Sequence, residues 1–415
     1  MTVHLRYCLQ QAALWGTFGL VLPVVTLFLL HNHFTLFEIG LYAALFSLST
    51  IALELPFGAM ADRVGRIRTY RVSLLMNSVG CALMLCFSQK PMLYLAAASF
   101  GIARAMSSGT VDAWYVGLLR EHGETKRIPY FLGRAELASA LGLASMSLVG
   151  GVLPDLIGSR LFDNPYKIGL ALACGLFVVL LGLTSWFFAE AEQAPHEAVP
   201  AGRILDDLRE LVRFTWHGGA VRPLILLCML LGGVVSVLES YWPVVLKTLV
   251  PMHGATWAFG LFLTLMLVVK GAGGWVSYRV MKQCAARPAL AVTLPFAGLA
   301  VSLVLTRWAN HVVAFGIVLS GVALCLGIAG AVVNAVLHHR TPDVLRSRAV
   351  SFFSLVFQLG SMIASVLLGY LVSQWGVQAV WCGVGVLVAA ASGYGATIGG
   401  WAADPVEEAK ATARV

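Results

Sequence analysis

Seven ionisable side chains sit inside long apolar stretches of this sequence: Glu54, Arg104, Asp112, Arg134, Glu136, Glu239 and Lys270. At the centre of a bilayer each costs about 2.5–3.5 kcal/mol on insertion scales, so such groups face a cavity or pair with one another. Four acids stand against three bases, which leaves one carboxylate in surplus. A surplus acid in a low-dielectric site disfavours its charged form and is a natural proton carrier. Glu239 is one candidate. Pro243, one turn on, cannot donate to the carbonyl of residue 239, and a freed carbonyl beside a carboxylate suits a proton or a cation. The competing reading is an ion pair with Lys270, and a pair that breaks on protonation would combine the two. Glu54 and Asp112 are within reach of Arg63 or Arg66, either as a structural charge relay or as proton carriers. Arg134 and Glu136 read as an interfacial pair, with Glu136 also able to face a cavity.

Arg104 and Lys270 together suit an anionic substrate, or else they neutralise acids. Trp15, Phe18, Trp114, Tyr115, Tyr241 and Trp242 are candidates for an aromatic cavity lining, against the plainer reading of helix packing or lipid contact, and Asn334 is a candidate polar cavity residue. No metal site is expected. Eight cysteines are scattered without a CxxC pair, and His338 and His339 read as a solvated helix end. G-x-S-x-G, H-E-x-x-H and phosphate-loop patterns do not occur, so no catalytic residue and no enzyme activity are expected.

These residues need long apolar helices to hold them. Of 415 residues 59% are hydrophobic and only 12% charged, about half the charge of an ordinary soluble chain. So much apolar surface cannot be hidden in a soluble domain of this size. Twelve segments meet the roughly 20-residue length of a transmembrane helix: 10–30, 36–60, 70–88, 92–119, 129–153, 167–188, 223–247, 256–280, 289–306, 311–336, 347–372 and 376–400. Counting Lys and Arg between them gives 20 on the side of the N-terminus and 5 on the other, with three inside spans. That bias places both termini in the cytoplasm. The net charge of +8 therefore reports topology, not nucleic-acid binding.

The polar interruption 189–222 carries Ile204, Leu205, Leu208, Leu211, Val212 and Trp216 at helical spacing, as in an amphipathic helix on the membrane surface. It would join an N-terminal half (1–188) to a C-terminal half (223–402), followed by a tail at 403–415. The halves look duplicated. At an offset of 220 residues, Gly101-Ile-Ala-Arg104 meets Gly321-Val-Ala-Leu324, Arg120 meets Arg340, Lys126 meets Arg346 and Pro23 meets Pro243. The expected fold is all-α, with twelve transmembrane helices in two pseudo-symmetric six-helix halves, an arrangement suited to alternating access.

Between spans two and three the chain reads Gly58-Ala-Met-Ala-Asp62-Arg63-Val-Gly65-Arg66-Ile-Arg68. Gly58 is expected to let span two approach a neighbour, Gly65 to take the positive φ of a tight turn, and Asp62 to accept hydrogen bonds from a helix N-terminus. This loop resembles the G-x-L-A-D-R-x-G-R-K signature of the major facilitator superfamily, with Met60 for Leu and Ile67 where a second base is usual. The resemblance implies the major facilitator fold and a gating loop at Gly58, Asp62, Arg63, Gly65 and Arg66. In that family Arg104 would face the cavity in an R-x-x-x-G context, although Gly109 here comes one residue late. In span five, Gly142-Leu-Ala-Ser-Met146-Ser147-Leu-Val-Gly150-Gly151 partly matches the G-x-x-x-G-P-x-x-G-G pattern of proton-coupled exporters, with Met146-Ser147 in place of Gly-Pro. Glu54-Leu-Pro-Phe-Gly58 and Ser108-Gly109-Thr-Val-Asp112-Ala-Trp114 are similar to a subgroup of bacterial exporters. The expected function is proton-coupled efflux of a drug-like molecule or secreted metabolite by an antiporter in the bacterial inner membrane. The alternative is a proton-coupled importer of a small anionic metabolite. Protons and a small molecule are the expected partners, with the lipid bilayer around a monomer, and no cofactor beyond the proton gradient is expected.

Overall fold

The computed structural model describes residues 3–188, 221–250, 254–284, 288–340 and 346–397. The amphipathic stretch expected within 189–222 and the tail at 403–415 lie largely or wholly outside the described residues. Twelve helical passes follow one another. The first is α1 (Val3–Gly19) and α2 (Val25–His31), then α3 (Leu36–Val64) and α4 (Arg66–Cys86). The fourth pass is α5 (Lys90–Ser107) and α6 (Thr110–Glu121), followed by α7 (Ile128–Leu153) and α8 (Lys167–Phe187). The second six are α9 (Val221–Leu249), α10 (Trp257–Gln283), α11 (Pro288–Leu305), α12 (Val312–Arg340), α13 (Arg346–Trp375) and α14 (Val377–Thr397). Among the described residues nine helices are long and apolar enough to cross a membrane unaided, and α14 supplies a shorter apolar segment. The other two passes are the ones that break.

Both breaks depart from the uninterrupted spans expected from hydropathy. In the first pass, Pro23 has no N–H to return to the carbonyl one turn before. The chain leaves the helix at Leu20 and re-forms it at Val25 through tight turns such as Val21 N–H to the Phe18 carbonyl, 3.0 Å. In the fourth pass, Gly109 adopts φ 68°, a left-handed conformation that glycine takes without steric cost. Neighbouring hydroxyls line the break: Thr110 Oγ1 donates to Ser107 O (3.0 Å), and Ser107 Oγ donates to Arg104 O (3.2 Å), which also keeps its backbone bond from Ser108 N–H (3.0 Å). Pro243, the duplicate of Pro23, lies inside the uninterrupted α9, so the two halves handle the same proline differently.

Thr35 caps α3. Its hydroxyl accepts from Glu38 N–H, and Glu38 returns a bond to Thr35 N–H at 2.8 Å while also holding Lys90 at 2.7 Å. Replacing Thr35 with Ala removes the cap and is expected to cost about 1 kcal/mol, read as a lower melting temperature in detergent.

Packing divides the chain into two compact units. Unit 1 comprises Met1–Ala201, Leu238–Thr264 and Ser365–Ser373; unit 2 comprises Gly202–Val237, Leu265–Ala364 and Gln374–Val415. This grouping does not follow the division into halves: short segments of α9, α10 and α13 belong with the first six passes. Within unit 1, α1 crosses α7 at small residues. A Cβ on Gly142 would strike the Ala12 carbonyl, and one on Gly150 would lie 2.5 Å from that of Leu20. Such close crossings are how membrane helices gain packing when lipid supplies no hydrophobic drive. Unit 2 repeats the scheme. Gly232 of α9 meets the Phe357 carbonyl of α13, Gly360 meets that of Met229, and Gly327 of α12 meets that of Lys270 in α10. Pass seven packs on pass eleven as pass one packs on pass five, the relation the repeat predicts.

Candidate proton and substrate site

The break in pass four sets two helix ends side by side. Arg104 lies in the last turn of α5 and Asp112 in the first turn of α6. Each charge is complemented by its own helix: a cation at the negative C-terminal end, an anion at the positive N-terminal end. Asp112 is exposed on the helix surface. Its Oδ1 accepts from the Tyr7 hydroxyl at 2.5 Å and from Gln11 Nε2 at 2.8 Å, and Gln11 Nε2 also reaches Tyr7 Oη at 3.2 Å. No cation pairs with this carboxylate among the described residues, and its second oxygen is left open. On another face of α1, the adjacent and buried Gln10 donates to Tyr70 (3.2 Å) and Thr184 (2.9 Å), tying α1 to α4 and α8. The face of α1 that meets Asp112 is thereby fixed in rotation.

Asp112 therefore does not form a charge relay with Arg63 or Arg66. Its position at the start of α6 turns it towards α1, and Arg66 pairs instead with Asp62 four residues back at 3.3 Å. Glu54 accepts from the Ser108 hydroxyl at 3.2 Å, which puts it at the same break in pass four. The expected pair of Arg134 and Glu136 is not formed. Residues two apart on a helix point to different faces, and Arg134 instead lies over the Tyr130 ring, 5.8 Å from its centroid.

The remaining candidates divide by burial. Trp15 is half-buried one turn beyond Gln11, with its ring 5.8 Å from that of Phe18. Trp114 packs edge-on against Phe188, and Tyr115 is fully buried with its ring stacked on Tyr7. Tyr241 and Trp242 are also buried: Tyr241 donates to the Leu36 carbonyl at 2.8 Å, and Trp242 packs near Phe259. Arg104, Glu136, Glu239, Lys270 and Asn334 are exposed on their helices. Glu239 and Lys270 fall in different units. In the loop, Gly65 takes φ 109°, the conformation its turn needs. Gly58 does not serve a close approach: a Cβ there would meet open space.

Tyr7, Gln11, Ser108 and His4 were not singled out from sequence. The available signal was polarity: Gln10-Gln11 in the first span and Ser107-Ser108-Gly109 in the fourth. Hydropathy alone cannot say that Gln11 meets Asp112 or that Ser108 meets Glu54.

At the opposite end from the 62–66 loop, unit 1 is drawn tightly together. A Cβ on Gly40 of α3 would strike the Ser365 carbonyl and would lie 2.9 Å from Tyr241 Oη and 3.2 Å from Gly369 Cα of α13. Gly151 of α7 and Gly260 of α10 form a second crossing, where a Cβ on Gly151 would sit 2.6 Å from Gly260 N. Thr264 Oγ1 donates to Ala144 O at 2.9 Å, and Asp155, on a π-helical turn after α7, accepts from Thr256 N–H at 2.8 Å just before α10. The exporter-like Gly150-Gly151 thus performs two packing tasks, one towards α1 and one towards α10. Removing the phenol in Tyr241→Phe deletes one hydrogen bond, worth about 0.5–1.5 kcal/mol net. It should loosen this end two- to tenfold, seen as faster labelling of a cysteine placed at Phe37.

Twelve passes in duplicated sets of six, with a polar site at a broken helix, define a secondary active transporter. The chain belongs to the Major Facilitator Superfamily, whose model matches residues 7–322. It is 20% identical over 379 residues to an uncharacterized MFS-type transporter, YxaM, of Bacillus subtilis (strain 168), covering 89% of each chain. Among solved structures it is similar to the nucleoside transporter NupG (12% identical, TM-score 0.72, 96% of this chain and 99% of that one). It is also similar to a D-xylose–proton symporter (13%, TM-score 0.72, 97% and 98%). A third is a bacterial homolog of the human lysosomal transporter Spinster in an inward-facing state (14%, TM-score 0.73, 95% and 94%). These likenesses show the fold.

Proposed function

We propose that this chain is a proton-coupled exporter that works by alternating access as a monomer in the bacterial inner membrane, with Asp112 as the principal proton site. The Lys and Arg count supports cytoplasmic termini, which makes the 62–66 loop end cytoplasmic and the glycine-sealed end external. The observation that carries the reading is the Asp112 carboxylate. It is held by Tyr7 and Gln11 through one oxygen, has no cationic partner among the described residues, and sits at a helix break within a span. Such discontinuous helices are where transporters place their substrate and ion sites. No cofactor is needed beyond the proton gradient. One charge falling through about 150 mV releases roughly 3.5 kcal/mol, enough for about a few-hundred-fold gradient where the exchange carries one net charge, which means one proton for a neutral cargo and two for a monovalent cation. The acids Asp112 and Glu54 at the break in pass four favour a lipophilic cation as cargo. Arg104, without an ion-pair partner among the described residues, favours the second reading, proton-coupled import of a small anionic metabolite.

The test is proton flux in inside-out vesicles with an acidic lumen, challenged with ethidium and then with citrate. Proton release on ethidium supports export of cations, and release on citrate moves the substrate to an anion at Arg104 and Lys270. Silence with wider panels of both kinds overturns the coupling. Glu239→Gln is the comparison variant. Loss of uphill transport there, with Asp112→Asn unaffected, would move the proton site to α9.

A further inference from the structure

We propose that Tyr7, Tyr115 and His4 form the path by which the proton on Asp112 reaches the cytoplasm. This inference rests on the reading of Asp112 as a proton site. Helices α1 and α6 run antiparallel along their shared edge, and residues three apart lie on one helix face. His4 and Tyr7 on α1 accordingly face Tyr115 and Asp112 on α6, making two rungs. One is Tyr7 Oη to Asp112 Oδ1 at 2.5 Å, and the other is His4 Nδ1 to Tyr115 Oη at 2.7 Å. The two phenol rings stack between the rungs with centroids 3.9 Å apart and planes at 19°. The rungs are offset by three residues, roughly 4.5 Å of helix rise, and in the proposed path a water molecule between the two phenols carries the proton from one rung to the next. The string runs from a fully buried tyrosine pair to His4, which is half-buried at the end of the chain nearest the cytoplasm.

The transfer balances. Protonated Asp112 gives its proton to Tyr7 Oη while Tyr7 passes its own towards Tyr115, and Tyr115 passes its own to His4 Nδ1. The products are a carboxylate and an imidazolium, which releases its proton to water. In the structure Tyr7 donates to Asp112, the arrangement that follows release. Phe131 stacks on the His4 ring, centroids 4.1 Å apart, and orients it. Charged groups around this end include Arg6 on α1, Arg127, 5.1 Å from the Phe131 centroid and paired with Glu124 at 3.2 Å, and Arg134. Neither Arg127 nor Arg134 has a hydrogen bond to His4 among the described residues. Tyr7 and His4 are in this scheme proton-transfer groups, and Phe131 is a positioning residue.

The experiment needs no substrate. The carboxyl C=O infrared band of Asp112, identified by its absence in Asp112→Asn, is followed after an upward pH jump on the purified full-length protein. Deprotonation in His4→Ala is expected to slow at least tenfold and to recover when imidazole is added. Tyr115→Phe, which keeps the ring stack, is expected to slow similarly with no recovery. Unchanged rates in both variants, or a slow His4→Ala that imidazole does not restore, would overturn the relay while leaving Asp112 as the proton site. Absence of any titrating band lost in Asp112→Asn would overturn the proton reading itself, and the relay with it.

Discussion

Gly260→Val is expected to drive the protein away from the state in which the end opposite the 62–66 loop is sealed. At this position a side chain has nowhere to go: a Cβ would run into the Ser147 carbonyl and lie 3.1 Å from Gly151 Cα. The obstacles are backbone, so no rotamer change relieves them, and overpacking of this kind costs about 1–3 kcal/mol. In a protein with two conformations that is roughly a 5- to 150-fold shift in their ratio. Because α10 belongs to the second set of six passes and α7 to the first, the strain is relieved by separating the two at the end opposite the 62–66 loop, and the helix pair inside each set is spared. Spin labels at Phe37 and Tyr370, whose rings lie 6.2 Å apart in the sealed state, should report a longer distance in most molecules. An unchanged distance distribution would show that this crossing does not hold the end shut. Gly142→Val provides the contrast. Its Cβ collides with the Ala12 carbonyl inside the first set of six, where no functional motion relieves it. The expected outcome there is loss of folded protein in place of a shift between states.

Asp112→Asn should abolish uphill transport while sparing downhill exchange. The amide keeps an oxygen to accept from Tyr7 and Gln11, so the local geometry survives with a loss of about 1 kcal/mol from the weaker neutral hydrogen bonds. On the proposed reading, what disappears is the group that alternates between charged and neutral forms as the site changes sides. The steady-state gradient, about a few-hundred-fold where one net charge crosses at 150 mV, should fall to unity in energised vesicles. Counterflow of the same probe should continue within a few-fold of the native rate. Retention of a proton-dependent gradient would remove Asp112 from the coupling step.

Much of this protein was readable before any coordinates. The count of apolar segments, the duplication at 220 residues and the 62–66 loop all depend on local composition and spacing, and the twelve passes and the family follow them. The glycine at 65 needed only the chemistry of a tight turn. Less local features were misread. Gly58 looked like a packing glycine and faces open space. Arg134 and Glu136 looked like a pair because they are close in sequence, yet a helix points them apart.

The sequence by itself determined which segments enter the bilayer, their number and their symmetry, because each of those properties is a sum over neighbouring residues. Only the tertiary structure decided which polar groups meet. Asp112 could be placed within reach of the loop arginines or of α1, and the left-handed turn at Gly109 together with the rotation of α1 fixed by Gln10 settled it for Tyr7 and Gln11. The same holds for Tyr241, a candidate cavity residue that proves to be buried at a glycine crossing over a hundred residues away in the chain. Hydrogen bonds and close contacts between helices depend on the angle at which each helix is turned towards its neighbours, and that angle is set by packing across the whole unit.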